Sequence, residues 1–204
     1  MPCIDSDTLV VYAPIKDMEL TLPLYPTHRQ EEIFRCKNEA ARQQKYFVWK
    51  LLERAIDTYT SLRFANLKFT KTPNGKWVCP DICFSLSHTD GLVCVALSQK
   101  SVGVDVERMH NVKSALKEKI LTERELLILS EMSDEKRGEY LLESWVRKES
   151  IFKKGGGEAL LPNRIESSEH HTVIEHVSVG DEKFIISVAC NSDQKVKYIY
   201  MEDI

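Results

Sequence analysis

The chain has 204 residues, of which 43% are apolar and 29% are charged. This length and composition predict a folded protein with one large or two small domains, and they exclude a disordered chain. With 28 Lys and Arg against 31 Asp and Glu, the net charge is −3. The chain therefore lacks the overall positive field that binds nucleic acid or an anionic membrane, so we expect neither as a partner.

The sequence also bears on cellular location. Its apolar runs are short, such as residues 92–97, and none has the length of a membrane-spanning helix. Asp5 and Asp7 precede the first lysine, Lys16. Acidic residues at this place are wrong for a secretory signal or a mitochondrial leader. We therefore expect a cytoplasmic protein.

Six cysteines are spaced irregularly along the chain. They are Cys3, Cys36, Cys79, Cys83, Cys94 and Cys190. Without a secretory signal this pattern favours reduced thiols over a disulfide framework. Cys79 and Cys83 are close enough to be half of a zinc site, but no second Cys or His pair accompanies them. We interpret them as buried or incidental cysteines.

The first half of the chain alternates between strand and helix patterns. In chain order these predict a strand at 8–15, a helix over 30–57, and strands at 66–70, 82–87 and 92–98. Asp90 and Gly91 form a strong turn signal, so the last two strands should pair as a hairpin.

The second half repeats this order. The patterns predict a strand at 102–107, a helix over 134–154 that ends at three glycines, and strands at 172–179, 183–190 and 195–201. Thr122 and Glu125 form a capping box at the start of a shorter helix. We therefore predict an α+β protein of two similar lobes, residues 1–100 and 101–204, with a site between them.

Asp105 and Glu107 are the first candidate site residues. In a strand, residues i and i+2 point to the same face, so their carboxylates lie side by side. Such a pair repels itself unless a cation or a proton intervenes, and Mg²⁺ prefers these hard oxygen ligands. The alternative at this point is an exposed edge strand with two surface acids.

Glu149 is the third candidate. It lies on the same helical stripe as the apolar residues Leu142, Trp145 and Phe152, so its carboxylate faces inward. A buried carboxylate is costly unless it is paired or binds a metal. The alternative is an ordinary surface pair with Lys153, one helical turn later.

Basic residues of the first half form the last set. His88 follows Ser87 at the predicted hairpin, where its ring could donate to a phosphate or bond a backbone carbonyl. Further basic side chains lie upstream. They are Arg35, Lys37, Arg42, Lys45, Lys50 and Lys76. If they converge they suit a polyphosphate ligand, and if not they are a solvated helix face.

Five short elements occur in the order and spacing of a known family. They are Lys37 to Arg42, Gly75-Lys76, the FSLSH of 84–88, the GVDVE of 103–107 and the WVRKESIFK of 145–153. Together they resemble the 4′-phosphopantetheinyl transferase superfamily, and in particular its larger, single-chain type that activates surfactin synthetase. Trp77, Val146 and Glu158 depart from the family pattern, at positions that affect loop shape rather than the carboxylates.

The resemblance implies a fold and a reaction. The fold is two α+β lobes in a pseudo-twofold arrangement with coenzyme A at their interface. The reaction moves the 4′-phosphopantetheine arm of coenzyme A to a serine of an apo acyl or peptidyl carrier protein. It releases adenosine 3′,5′-bisphosphate.

The resemblance also implies residue roles. Mg²⁺ would lie on Asp105, Glu107 and Glu149. Glu149 would also be the base for the carrier serine, and Lys153 would bind an α-phosphate oxygen. The remaining phosphate contacts would come from Lys37, Arg42, Lys76, Ser87 and His88.

Two rival functions stay open. One is a different Mg²⁺-dependent nucleotide enzyme that uses the same carboxylates. The other is a protein that binds coenzyme A or a carrier protein without turnover. We expect a monomer in each case.

Residues 108–124 are a candidate docking site for the carrier protein. Met109, Val112, Leu116 and Ile120 have the spacing of one apolar helical stripe. Positive side chains flank this stripe. They are Arg108, Lys113, Lys117, Lys119 and Arg124. An acidic carrier protein with an apolar spot would fit this surface, but the segment could equally be a helix packed on the second lobe.

Overall fold

The computed structural model describes residues 7–16, 26–157 and 159–204, so Cys3 and Glu158 lie outside the described residues. Its strands are β1 (Thr8–Pro14), β2 (Thr70–Lys71), β3 (Trp77–Val78), β4 (Cys83–Thr89), β5 (Leu92–Ser98), β6 (Gly103–Arg108), β7 (Thr172–Val179), β8 (Glu182–Ala189) and β9 (Val196–Tyr200). Its α-helices are α1 (Thr27–Phe34), α2 (Glu39–Tyr59), α3 (Lys117–Ile120), α4 (Glu123–Ser130) and α5 (Asp134–Gly155). The α+β class predicted from the sequence is confirmed.

The first sheet has the strand order β4-β5-β1-β9, and α2 packs across β5, β4 and β1. The helix begins at Asn38, whose side chain accepts a hydrogen bond from the backbone N–H of Ala41 at 2.9 Å. Trp49 lies in the middle of its buried face and contacts the rings of Phe64 and Trp77 edge-on. This aromatic cluster fixes α2 against the sheet.

The second sheet has the order β6-β8-β7, all antiparallel, and α5 packs across it. The helix carries acidic residues in its first turn and Lys153 with Lys154 in its last, as the helix dipole favours. It ends at Gly156, whose φ of 69° is the left-handed conformation that glycine adopts without strain. The predicted helix and its stop at the glycines are confirmed.

A hydrophobic core fills the space between the two sheets. Alternate residues of β1 point to opposite sides, so Val10 lies in the core between the sheets while Leu9 and Val11 pack toward α2. On β6, Val104 and Val106 enter the same core between the sheets. The side chains of Asp105 and Glu107 therefore project from the other face of β6, toward α5.

Each half repeats a strand, a long helix and a hairpin. In both sheets the first strand pairs with the second strand of the hairpin, β1 with β5 and β6 with β8. The last strand, β9, runs parallel to β1 and so completes the sheet of the first half. The pseudo-twofold relation and the boundary at residue 100 stay predictions.

Two predicted elements of the first half are wrong. The helix predicted over 30–57 is two helices, because the chain turns at 35–38 and Asn38 starts α2. The strand predicted at 66–70 is a 3-10 turn, Phe64–Asn66, followed by the two-residue strand β2. Phe64 and Phe69 turn inward there, with ring centroids 4.9 Å apart, and this packing replaces an extended backbone.

The predicted helical stripe of 108–124 is also wrong in part. The chain stays extended to Lys113, makes a 3-10 turn at Ser114–Leu116 and is α-helical only over α3. The backbone N–H of Met109 bonds the carbonyl of Lys183, which continues the sheet pairing beyond β6. The capping box of Thr122 and Glu125 is present at the start of α4.

The cysteines that the structure describes are free thiols. Cys79 lies 3.7 Å from a carboxylate oxygen of Asp81, and Cys83 lies 4.0 Å from the carbonyl of Gln99. Neither cysteine belongs to a group of metal-ligand side chains in the described part of the chain. Across the described ranges, no helix has both the length and the apolar character needed to span a membrane.

Candidate active site

The site forms where β6 lies directly against α5. A Cβ placed on Gly103 would meet the carbonyl oxygen of Ser150 at 1.9 Å, so only glycine allows this approach. On its other edge β6 faces β4, where the Ser85 and Ser87 hydroxyls accept hydrogen bonds from the backbone N–H groups of Val104 and Val106. Residues of both halves of the chain therefore meet along β6.

Asp105 lies at the centre of this junction and is 4% exposed. Its Oδ1 accepts hydrogen bonds from the Ser87 hydroxyl at 2.8 Å and from the Lys153 ammonium at 2.7 Å. Its Oδ2 is buried and has no hydrogen-bond partner among the residues that the structure describes. A buried carboxylate oxygen without a partner is costly, and a cation would satisfy it.

Glu107 lies two residues further along the same face of β6. Its Oε2 accepts a hydrogen bond from the hydroxyl of Thr89 at 3.1 Å, and its Oε1 lies 3.4 Å from the indole nitrogen of Trp145. Burial raises the pKa of Glu107, and the negative charge of Asp105 raises it further. The two carboxylates therefore lie close enough to repel each other, as the strand pattern predicted.

Glu149 joins them from α5. Burial raises its pKa, and the charges of Asp105 and Glu107 raise it further, while Lys153 acts in the opposite direction. The charge of Asp105 acts on the pKa values of both Glu107 and Glu149, so the three predicted carboxylates lie near one another. Three carboxylates, one of which has a buried oxygen without a partner, fit a divalent cation such as Mg²⁺.

A second group of ligand-type side chains is more compact. Among the described residues, Glu139, Glu143 and His176 form the group whose ligand atoms all lie within 4.8 Å of one another. Glu143 also lies 3.8 Å from the guanidinium of Arg147. This group is on the outer part of α5 and β7, and it does not include the three predicted carboxylates, which are less tightly grouped.

Positive charge surrounds His88, at the exposed rim of the site. Part of the side chain is exposed, and burial of the rest of the imidazole lowers its pKa to about 4, with the charge of Lys153 adding to this effect. Arg29 on α1 and Lys45 on α2 lower the same pKa. His88 is therefore neutral near pH 7 and lies in a positive field, as the predicted phosphate site requires.

Arg29 is a residue of this site that the sequence did not point to. Its guanidinium donates to the carbonyl of Lys45 and to the carboxylate of Glu32, and it lies over the ring of Trp49. These contacts hold α1 against α2 beside His88. Arg29 can make these contacts because the chain turns between α1 and α2. The sequence predicted one continuous helix in this region, so it did not indicate these contacts.

Lys76 lies on the hairpin of β2 and β3 and also approaches Lys153. Its ammonium donates to the carbonyl of Lys153, and the side chain of Asn74 donates to the carbonyls of Gly156 and Gly157. The hairpin thus closes over the end of α5. A cavity of about 280 Å³ lies between hairpin and helix, with Lys153 in its wall.

The other residues predicted to bind phosphate are less clearly placed for that role than His88 and Lys76. The hydroxyl of Ser87 is already bonded to Asp105 and Lys153. Lys37 is exposed in the connection between α1 and α2, and Arg42 lies 3.7 Å from the carboxylate of Glu39. Neither Lys37 nor Arg42 belongs to the hydrogen-bonded group around Asp105.

The segment 108–124 borders the site beyond Glu107. A cavity of about 430 Å³ opens there, and Glu107 and Trp145 form part of its wall. Val112, Leu116 and Ile120 line it as well, although they do not share one helix. Three of the four apolar residues of the predicted stripe therefore converge beside a site carboxylate.

The stretch that carries this site matches a known family. Residues 101–197 match the model of the 4′-phosphopantetheinyl transferase superfamily. This part of the chain is similar to that superfamily. The resemblance seen in the sequence is confirmed, and β6, α5 and their four charged site residues all lie within the matched stretch.

Three proteins named as 4′-phosphopantetheinyl transferases are similar to this chain. The protein gsp of Aneurinibacillus migulanus is 32% identical over 53% of this chain and 48% of its own length. The protein ffp of Bacillus subtilis is 26% identical over 60% of this chain and 62% of its own length. Sfp of Bacillus subtilis strain 168 is 24% identical over 55% and 51%. The chain thus spans about half to three-fifths of the length of these transferases.

Proposed function

We propose that this protein is a Mg²⁺-dependent 4′-phosphopantetheinyl transferase. It would transfer the phosphopantetheine arm of coenzyme A to a serine of an apo acyl or peptidyl carrier protein. The observation that carries the proposal is the meeting of Asp105, Glu107, Glu149 and Lys153 where β6 crosses α5. The superfamily match over the same residues supports it.

The three carboxylates would hold the metal. The partnerless Oδ2 of Asp105 is the oxygen most in need of a cation, and Glu107 is oriented by Thr89 and Trp145 on either side. When bound, Mg²⁺ supplies charge neutralisation for the pyrophosphate of coenzyme A. Without a cation, burial and like charge hold the pKa values of Glu107 and Glu149 above the ordinary range.

Glu149 would be the base. Its raised pKa favours taking a proton, and one face of α5 brings it beside Asp105. The serine oxygen forms a bond to the phosphorus that carries the pantetheine arm, and the serine proton passes to Glu149. The bond from that phosphorus to the bridging oxygen breaks, and its electron pair leaves with adenosine 3′,5′-bisphosphate.

Lys153 would stabilise the negative charge on that leaving group. Its ammonium touches Ser87 and Asp105 at 3.0 and 2.7 Å, and about a quarter of the side chain is exposed. A phosphate oxygen can therefore reach it from the solvent side. In phosphoryl transfer such fixed positive charge supplies much of the rate.

The phosphates of coenzyme A would lie in the positive field of His88. Arg29, Lys45 and Lys153 share that field, and Lys76 lies across the end of α5. Lys37, Arg42 and Ser87 stay predicted contacts of the same phosphates. Burial lowers the pKa of Lys76, and a bound phosphate would reverse that effect.

The carrier protein would dock on the segment 108–124. The apolar cavity there opens beside Glu107, so a bound carrier would bring its serine to the carboxylates. Exposed lysines lie along the segment, and one of them, Lys119, lines the cavity. The others are Lys113 and Lys117. An acidic carrier surface with an apolar side chain at its centre complements this arrangement. Action in the cytoplasm as a monomer stays a prediction.

The release of adenosine 3′,5′-bisphosphate tests the proposal. With Mg²⁺, coenzyme A and an apo carrier protein, the bisphosphate should appear in step with loss of apo carrier, as measured by chromatography. A chelator, or a carrier whose acceptor serine is replaced by alanine, should stop it. Release without any carrier would instead favour another Mg²⁺-dependent nucleotide enzyme, and no release at all would favour binding without turnover.

A further inference from the structure

A buried ion pair lies behind the candidate site. Lys148 precedes Glu149 on α5, and its side chain is 0% exposed, while that of Glu125 is 4% exposed. The Lys148 ammonium donates to the carboxylate of Glu125 and, at 2.7 Å, to the backbone carbonyl of Ile120. Burying two charges is costly, and an apolar pair of the same size is often as stable. Stability alone therefore does not explain why two charged side chains are buried here.

Glu125 binds more than the lysine. The same carboxylate accepts hydrogen bonds from the backbone N–H of Thr122 at 2.9 Å and from that of Ser167 at 3.3 Å. The first of these bonds completes the capping box of α4. The pair thus joins three segments of the chain to α5: the end of α3, the start of α4 and the turn at 166–169.

The Ile120 carbonyl connects this pair to the cavity beside Glu107. Ile120 is 5% exposed, and its side chain forms one wall of that cavity. Trp145 forms another wall, and its indole approaches Glu107. Trp145 and Lys148 are three residues apart on one helix. The helix α5 therefore carries both Glu149 and one wall of the cavity, and it fixes the separation between them.

We propose that Lys148 is a positioning residue for the carrier protein. Through the Ile120 carbonyl it holds the docking segment in the arrangement that the carrier binds, beside the site carboxylates. This role rests on the proposed transferase function. It concerns the acidic carrier protein and not coenzyme A, since none of the predicted phosphate contacts lines this cavity.

The decisive variant removes both charges and keeps the cap. In Lys148→Met with Glu125→Gln, no unpaired charge is buried, and glutamine serves at this position of a capping box. The double variant lacks the bonds of Lys148 to the Ile120 carbonyl and to residue 125, and the single carboxamide oxygen keeps the bond from Thr122 at the expense of the one from Ser167. Lys154→Met is the matched control, because Lys154 also donates from α5 to a backbone carbonyl, that of Cys190, at 2.8 Å.

The expected result separates positioning from stability. The double variant should unfold near the wild-type temperature, and its amide hydrogen exchange should rise at 112–121. Its KM for the carrier should rise about tenfold, with kcat and the KM for coenzyme A nearly unchanged. Lys154→Met should leave the carrier KM and the exchange at 112–121 as they are.

Three results would overturn the proposal. They are unchanged exchange at 112–121 in the folded double variant, an unchanged carrier KM, and an equal loss for carrier and coenzyme A. If the double variant does not fold, Ile120→Ala alters the same wall without touching the pair, and an unchanged carrier KM there contradicts the proposal. If wild-type protein loads no carrier, the transferase function fails, while the exchange measurement still decides whether Lys148 holds the segment.

Discussion

Gly103 of β6 and Ser150 of α5 approach so closely that a methyl group at residue 103 would lie 1.9 Å from the Ser150 carbonyl oxygen. The backbone nitrogen of Lys154 would be 2.5 Å away. Both obstacles are backbone atoms of one helix, which cannot rotate aside. This contact sets the separation of Asp105 from Glu149 and Lys153, so the glycine of the GVDVE element is needed for the site as well as for the fold.

Gly103→Ala should therefore destabilise the protein strongly. We expect a loss of roughly 3 kcal/mol in the free energy of unfolding, typical of an overpacked core. Denaturant unfolding followed by circular dichroism measures it. Gly155→Ala is the control, because a methyl group there meets nothing within 4 Å. It should stabilise α5 by roughly 0.5–1 kcal/mol. Equal stabilities of the two variants would mean that β6 does not lie against α5.

Lys153→Met should lower kcat more than it weakens coenzyme A binding. The ammonium would stabilise charge that develops on the leaving bisphosphate, so the loss should appear mainly in the transition state. We expect a fall of about a hundredfold in kcat, and calorimetry should show a much smaller change in the Kd of coenzyme A. Lys154→Met, one residue along, should retain its turnover. A parallel loss of binding and turnover in Lys153→Met would make Lys153 a binding residue only.

The pattern of the sequence was sufficient to predict the arrangement of the charged residues. Strand alternation placed Asp105 and Glu107 on one face, and the helical stripe placed Glu149 inward. Both are local properties of one strand or helix, so the residues near in sequence determine them. The hairpin at Asp90 and Gly91 follows from the same kind of local signal.

Contacts between distant segments could not be predicted in this way. The bond of Lys148 to the Ile120 carbonyl spans 28 residues, and that of Lys76 to the Lys153 carbonyl spans 77. Arg29 reaches the site because the chain turns before Asn38, a break that no proline or glycine marks. Each case depends on how whole elements pack, which apolar periodicity does not encode.

Binding of coenzyme A should be coupled to protonation of His88. In the free protein its pKa is lowered to about 4, so the ring is neutral at pH 7. A phosphate beside it would raise that pKa, so binding takes up protons and strengthens as the pH falls from the raised pKa toward about 4. Calorimetry in buffers of different ionisation enthalpy measures this uptake.

His88→Gln isolates the contribution of the imidazole, since the ligand's own titration is common to both proteins. The difference in uptake between wild type and variant should vanish for 3′-dephospho-coenzyme A. Equal proton uptake by wild type and His88→Gln with intact coenzyme A would place His88 away from the 3′-phosphate.

Charge reversal on the docking segment should weaken the carrier alone. In Lys113→Glu with Lys117→Glu, the charges of two exposed lysines of the segment 108–124 are reversed. The carrier KM should rise about fivefold at low salt and less at high salt, because screening weakens the attraction. Lys68→Glu with Lys195→Glu makes the same change in net charge at exposed positions outside the segment. A similar rise in that control would show that net charge matters and the segment does not.

The mass of a carrier protein after incubation tests the central claim most directly. Wild-type protein with coenzyme A and Mg²⁺ should convert an apo carrier to a species heavier by one 4′-phosphopantetheinyl group. Asp105→Asn, which keeps the shape but removes a charge from the carboxylate group, should leave the carrier unchanged in the same time. Asp90→Asn, an exposed carboxylate of the β4–β5 hairpin, should act like wild type. If wild type left fatty acid, polyketide and peptide synthetase carriers all unmodified, or if Asp105→Asn modified them equally well, the account would be contradicted.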